Sequence, residues 1–486
     1  MTTTLPPRAP SGIDPGRLAT CLAVLRELDD LPVEHEDAVR VREATAAVFK
    51  AVKLRRRKER QDAAMAADLL VTAATATGAP DRIDDETRGL PLGGAATTAL
   101  AGTLNRARAC YVCKTRYREV DAFYHQLCPA CASLNRARRE ARTDLTGRRA
   151  LLTGGRAKIG MHIALRLLRD GADTTITTRF PNDAARRFAA MPDADQWLHR
   201  LTVVGIDLRD PTQVIALADA VAARGPLDVL VNNAAQTVRR SPGSYAALVD
   251  AELAPLPAGP RPHVLALGHV PGSHPAAAAL TAGSPAVPGR TPADLTALAL
   301  TSGSASLARV AAGTAIDAAG LAPDLDAENS WTARVHEVDE LELLEVQLCN
   351  VTAPFVLVSR LRSALAASAA RRSYVVNVSA MEGQFARGYK GAGHPHTNMA
   401  KAALNKLTRT SAADLLTDGI AMTSVDTGWI TDERPHPTRA RLADEGFHAP
   451  LDLVDGAARV YDPIVRGELG VDLHGVFLKD YAPSPW

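Results

Sequence analysis

The spacing of apolar positions divides the chain into a helical front and a longer body in which strands and helices alternate. Leu18, Cys21, Leu22, Leu25 and Leu28 recur at helical spacing and predict one amphipathic helix. Beyond Pro32, a run rich in Ala, Leu, Arg and Glu predicts a second helix from His35 to about Thr77. Residues 78–102, rich in Gly, Pro and Thr, predict an irregular linker. In the body, short apolar runs each end in a polar signature. Ala150-Leu151-Leu152 leads into a glycine-rich turn, and Met161–Arg169 follows as an amphipathic helix. Asp173–Thr178 ends in Arg179, and Leu201–Ile206 ends in Asp207-Leu208. Leu227–Val231 ends in Asn232-Asn233-Ala234-Ala235, and Tyr374–Val378 ends in Ser379. Gly475–Leu478 reads as a last strand. This rhythm predicts the α/β class with a doubly wound parallel sheet.

The rhythm is interrupted once. Between about 240 and 335 the chain carries many prolines with much Ala, Gly and Ser, which predicts a long irregular insertion with one helical piece near Leu295–Leu307. A lid or a partner surface is the expected role of such a segment. A helix resumes over Asp339–Leu365, and another follows at Ala402–Leu416.

Composition narrows the functional classes. Lys and Arg number 56 against 54 Asp and Glu, a formal charge of +2, which argues against bulk polyanion binding as the main task. The basic run Lys53–Arg60 is expected to be a solvated helix face rather than a nucleic-acid site. Hydrophobic residues make up 46% of the 486 positions, enough for a large core. No apolar signal core begins the sequence and no long apolar run was expected to span a membrane, so a cytoplasmic protein is expected.

Four of the six cysteines form one cluster, Cys110-x2-Cys113-x14-Cys128-x2-Cys131. Each Cys-x2-Cys pair can turn two thiolates toward one ion, and two such pairs complete a tetrahedral zinc shell. A closed shell of four thiolates points to a structural Zn²⁺ in a ribbon or knuckle. Nucleic-acid or protein recognition by this module stays open. The expected domains are a helical region at 1–102, the four-cysteine module at 103–140 and the α/β body at 145–486.

The ordered set Thr153-Gly154-x4-Ile159-Gly160, Asp207-Leu208, Asn232-Asn233-Ala234-Ala235, Asn377-Val378-Ser379 and Lys401 resembles the short-chain dehydrogenase/reductase (SDR) superfamily over about Leu145–Tyr481. The resemblance implies a Rossmann fold binding a dinucleotide, a small-molecule substrate and a possible homo-oligomer. A diphosphate would lie on the turn Thr153–Gly160 and the helix N-terminus behind it. Lys158 replaces the middle glycine of this turn. Where an acid would select NAD, the chain has Thr178-Arg179. Arg179, with Arg156 and Lys158 adding charge, implies NADP(H). Asp207 and Leu208 would meet the adenine, Asn233 and Ala234 the adenosine ribose, and Gly428 and Ile430, with Thr431 or Asp432, the nicotinamide.

The catalytic set departs from the family pattern. Lys401 and Asn350 stand where the family has its lysine and asparagine. Ala380 holds the place of the serine, with Ser379 one residue before it, and Thr397 holds the place of the tyrosine. A threonine hydroxyl is a poor acid or base alone. His396, His394 and Tyr389 nearby are therefore candidates to carry the proton. The implied function is an atypical NADP(H)-dependent oxidoreductase acting on a carbonyl, alcohol or imine. A nucleotide-binding scaffold and a non-redox SDR are the alternatives.

Overall fold

The computed structural model describes residues 12–79, 82, 100–240, 242–256, 258–267, 319–323, 326–388, 390–431 and 433–486. By contacts the chain divides into Met1–Asp68 and Leu69–Trp486.

The first unit is helical. Helix α1 (Pro15–Glu27) starts at Asp14, whose carboxylate accepts the Arg17 amide at 3.0 Å. None of its residues is fully buried: Leu18 and Leu22 are exposed and Leu25 is half-buried. Helix α2 (Glu36–Ala73) follows, and Lys53–Arg60 on it are all exposed, as a solvated face should be.

The second unit is built on a nine-stranded sheet. Strands β3 (Arg149–Leu152), β4 (Asp173–Thr178), β5 (Leu201–Gly205), β6 (Val229–Asn232), β8 (Ser373–Ser379), β9 (Ile420–Asp426) and β10 (Phe477–Lys479) are parallel, and β11 (Ala482–Ser484) joins one edge antiparallel. The spatial order is β11-β10-β9-β8-β6-β3-β4-β5-β7, with β7 (His263–Ala266) at the far edge. Strand order reverses beside β3, which has β4 on one side and β6 on the other. That reversal opens a crevice at the carboxyl ends of the strands. Nearly every residue of the central strands is buried, because helices cover both faces. Helices α4 (Lys158–Arg169) and α12 (Leu453–Glu468) pack against each other in one layer. Helices α6 (Pro211–Ala223) and α9 (Ala353–Ala366) form a pair in the other. The helical run Glu340–Ala366 is long and apolar enough to cross a membrane by length and mean composition, although charged residues interrupt it. Here its inner residues pack on α6 and on β8.

The insertion begins with regular structure rather than the irregular chain expected. Helix α7 (Ala246–Leu253) packs against α5 (Pro181–Ala189), and β7 (His263–Ala266) pairs with β5 in parallel at the sheet edge. Proline and alanine enrichment concealed an eight-residue helix and a four-residue strand. The helix expected near 295–307 lies outside the described residues.

The four-cysteine segment forms an antiparallel pair, β1 (Leu100–Ala109) with β2 (Arg116–Asp121), then α3 (Pro129–Glu140). Its apolar residues Leu104, Tyr117, Val120, Tyr124 and Leu127 share one core with Ile430, Leu451 and Leu453 of the sheet domain. A buried charged cluster fixes the same junction. Arg139 donates to both oxygens of Asp452 at 2.6 and 2.8 Å and to Asp455 at 3.1 Å, and the Tyr124 hydroxyl donates to Asp455 at 2.7 Å. Asp452 also caps α12 by accepting the Asp455 amide. Removing one member of such a pair leaves a buried charge uncompensated. Arg139→Ala is therefore expected to destabilise this unit by about 3–5 kcal/mol in denaturant unfolding, with Asp452→Asn costing less. An unchanged unfolding midpoint for Arg139→Ala would contradict this role.

Candidate functional site

At the strand-order reversal lies a cleft of about 590 Å³. Its floor is the glycine-rich turn. The Thr153 hydroxyl accepts the amides of Asn233 and Ala234, both at 3.0 Å, which joins the ends of β3 and β6. Gly154 has φ +69°, and a Cβ there would lie 3.0 Å from Ala234. A Cβ on Gly160 would come within 2.0 Å of the Gly154 carbonyl oxygen, so only glycine lets α4 begin this close to the turn. Lys158 keeps the left-handed backbone of the glycine it replaces, with φ +54°. Its charge helps hold Glu433, on the far side of the cleft, below the usual carboxylate range against the opposing effect of burial. No side chain caps the start of α4 at Ala157. The turn thus fits an anion: backbone amides and a helix dipole converge on a space that side chains leave open.

Farther along the cleft, Arg179 lies over the Tyr245 ring at 5.4 Å and the Phe180 ring at 5.8 Å. Tyr245 comes from the insertion, which sequence reasoning could not connect to this site. Arg156 borders the cleft but is also committed elsewhere, donating to Asp183 at 2.6 Å, an oxygen that Arg187 shares. Asp207 and Leu208 line the next section, and both Asp207 oxygens accept from Arg209 at 2.6–3.2 Å. Asn233 turns its side-chain amide to the carbonyls of Thr153 and Gly154, at 3.0 and 3.1 Å.

The opposite end is formed by β8, by α10 (Pro395–Thr417) and by the loop after β9. Helix α10 starts earlier than sequence suggested, so Thr397 and Lys401 are both inside it, four residues apart and on one face. Both are buried and border the cleft. Lys401 donates to the Val378 carbonyl at 2.8 Å, and burial pushes its ammonium down to about 8, against the pull of nearby Cys349, Glu382 and Asp426. Among the described residues the Thr397 hydroxyl has no hydrogen-bond partner, which is unusual for a buried polar group and leaves it available to a ligand. Asn350 sits in a π-helical turn, Leu348–Thr352, between α8 (Glu340–Gln347) and α9. Its side chain exchanges two bonds with the Gln236 backbone, at 2.7 and 3.0 Å. A π turn frees main-chain carbonyls from the usual ladder.

Other sequence candidates lie differently. Ser379 borders the cleft, but its hydroxyl donates to Asn405 at 2.6 Å, and the next residue inward is Ala380. His396 faces away: its Nε2 lies 3.4 Å from Glu342 on α8, because adjacent helical residues diverge by about 100°. His394 precedes α10 with φ +44°, stacks on Trp331 at 3.8 Å and places Nδ1 2.8 Å from the Trp331 carbonyl. Tyr389 and Asp432 lie outside the described residues. Gly428, Ile430 and Thr431 border the cleft as expected. Glu382, two residues past Ala380, was overlooked although its motif was in view. It borders the cleft with Lys390 at 3.6 Å.

The arrangement of sulfurs fits a metal ion. The four Sγ atoms of Cys110, Cys113, Cys128 and Cys131 lie within 4.8 Å of one another, and Cys113 and Cys128 are 3.7 Å apart. Four thiolates at about 2.3 Å from a tetrahedral zinc would be roughly 3.8 Å apart. His125 is not among them: it is buried against Thr77, 2.7 Å from its hydroxyl.

Residues 148–251 match the family model for short chain dehydrogenases. This segment of the chain is similar to short chain dehydrogenases. The chain is 29% identical over 374 residues to an uncharacterized protein of Acanthamoeba polyphaga mimivirus, covering 74% of this chain and 71% of that one. Over 94 residues it is 43% identical to a probable oxidoreductase of Streptomyces antibioticus, spanning 19% of this chain and 30% of that protein's length. A solved short chain dehydrogenase from Burkholderia cenocepacia, in complex with NADP, is 20% identical with a TM-score of 0.43, covering 69% of this chain and 97% of that one. The four-cysteine segment shares a core with Ile430 and Leu453, which border the cleft.

Proposed function

We propose that the chain is an NADP(H)-dependent oxidoreductase acting on a small-molecule carbonyl, alcohol or imine, with Lys401 and Thr397 handling the proton. One observation carries this reading: a buried lysine, lowered by burial to about 8, and a buried hydroxyl without a hydrogen-bond partner among the described residues share one helix face on the cleft wall. NADP(H), when bound, supplies or accepts the hydride. The turn Thr153–Gly160 would hold its diphosphate, Arg179 beside Arg156 its 2′-phosphate, and Asp207, Leu208, Asn233 and Ala234 its adenosine. Lys401, Gly428 and Ile430 would hold the nicotinamide end. As negative charge grows on the substrate oxygen, the Thr397 hydroxyl donates a hydrogen bond to it. Threonine alone is too weak an acid to release that proton. The Lys401 ammonium, made more acidic by burial, replaces it through the hydroxyl. Asn350 fixes Gln236 against the helix behind the site. Zinc in the four-cysteine module is structural on this reading, because four thiolates leave no open position.

A second reading, nucleotide binding without turnover, is favoured by Ala380 at the cleft and by the commitment of Ser379 to Asn405. A substrate screen on Lys401 and Thr397 variants separates the two. Thr397→Val is expected to lower reductive turnover by about 10²–10⁴-fold, while NADPH binding holds. Lys401→Met should impair binding and turnover together. Wild-type reductive turnover should be level below about pH 8 and fall above it, as Lys401 loses its proton; oxidation should show the opposite trend. Full activity in Thr397→Val would remove the proposed relay.

Arg179→Ala should weaken NADPH by about ten- to a hundredfold, from the loss of a charged hydrogen bond, and NADH far less. Equal losses in a fluorescence titration would exclude 2′-phosphate recognition by this residue. Elemental analysis should find about one zinc per chain, reduced in Cys113→Ser. A metal-free, fully folded preparation would argue against the zinc assignment.

A further inference from the structure

The cysteine module reaches the cleft through a residue that metal binding itself does not require. Tyr111 lies between Cys110 and Cys113. Its amide donates to the Gln126 carbonyl at 2.8 Å, so its backbone is held by the segment that leads into the second cysteine pair. Its hydroxyl accepts the main-chain N–H of Trp429 at 2.9 Å. Gly428, at φ +77°, approaches closely enough that a Cβ there would lie 3.6 Å from the Tyr111 oxygen. From the other side, Asp426 accepts the Gly428 amide at 3.2 Å. Ile430 is buried in the core formed by Leu104, Cys110, Leu127 and Leu451. The loop is thus gripped from both sides, and Thr427, Gly428, Ile430 and Thr431 on it face the cleft.

We propose that Tyr111 is a positioning residue that couples metal occupancy of the four-cysteine module to the nicotinamide-side wall of the cleft. This rests on the NADP(H) reading above. An ion bridging the two cysteine pairs fixes the turn that carries Tyr111. Tyr111 in turn holds the Trp429 amide, and with it the shape of loop 427–431. Without the ion, the turn keeps its hydrogen bonds and the packing of Cys110, Tyr111 and Val112 on the shared core but loses the link between the two cysteine pairs. The adenosine end of the cleft is built by the ends of β4 and β5, where Arg179 and Asp207 stand, and the coupling leaves it unchanged.

The test titrates full-length protein with two probes, NADPH and adenosine 2′,5′-bisphosphate, while zinc content and thermal unfolding are followed. Tyr111→Phe is expected to keep the wild-type zinc content and the wild-type affinity for the bisphosphate. Its affinity for NADPH should fall about five- to tenfold, the effect of leaving one main-chain N–H unpaired. Removing zinc from the wild type with a chelator should produce the same selective loss, and chelation should add little to the loss in Tyr111→Phe, because both act through one contact. Unchanged NADPH affinity in Tyr111→Phe, or equal losses for both probes, would overturn the coupling. Should the variant fail to fold, the chelated wild type decides by the same comparison of probes. Wild-type protein that binds neither probe would overturn the cofactor reading and this inference together, an outcome distinct from loss of the coupling alone.

Discussion

The Thr153 hydroxyl accepts the amides of Asn233 and Ala234, and the cleft depends on that junction. It joins the ends of two neighbouring parallel strands at the point where strand order reverses. The glycine turn then has one path available, over Ala234 and under the first turn of α4. Gly154 and Gly160 make that path sterically open, and Lys158 accepts a left-handed backbone to complete it. A lysine in that region is less comfortable than glycine, and the surrounding turn must hold it there. Its charge lies toward Glu433 across the cleft, so the substitution brings an electrostatic contact that a glycine could not make.

The cleft wall formed by β8 and α10 places Lys401 and Thr397 on one helix face. Burial lowers the Lys401 pKa because a charge is poorly solvated there, and this does not depend on a tyrosine neighbour. Thr397 places a hydroxyl on the same helix face but reaches less far than a tyrosine would. Trp331, near the end of the insertion, lines the same cleft and stacks on His394. The insertion therefore helps define what can approach Lys401.

The cysteine module is not an appendage of the sheet domain. Its apolar residues complete a core with Ile430, Leu451 and Leu453, and Arg139 is neutralised by acids at the start of α12. Small metal-binding segments bury too little surface to be stable alone, and sharing a core with a larger domain offsets that. The same sharing brings the four cysteines close to loop 427–431 at the cleft.

The strand rhythm, the turn Thr153–Gly160, Lys401 and the two Cys-x2-Cys pairs are local patterns, and sequence alone located them. Backbone sterics and ligand spacing act over a few residues, so such signals survive without tertiary context. The pairing of β7 with β5, the contribution of Tyr245 and Trp331 to the cleft, and the reach of Tyr111 to Trp429 were not legible. Each joins residues far apart in the chain, and composition in the insertion carries no periodicity to reveal it. His396 shows the complementary limit: its neighbour Thr397 and its titration range recommended it, but the rotation of one helical residue turned it toward Glu342. Sequence determined which chemical groups were available and which short turns could form. The packing of α10 against β8 and α8 decided which of those groups share the cleft, because side-chain direction depends on how a helix is rotated against its neighbours.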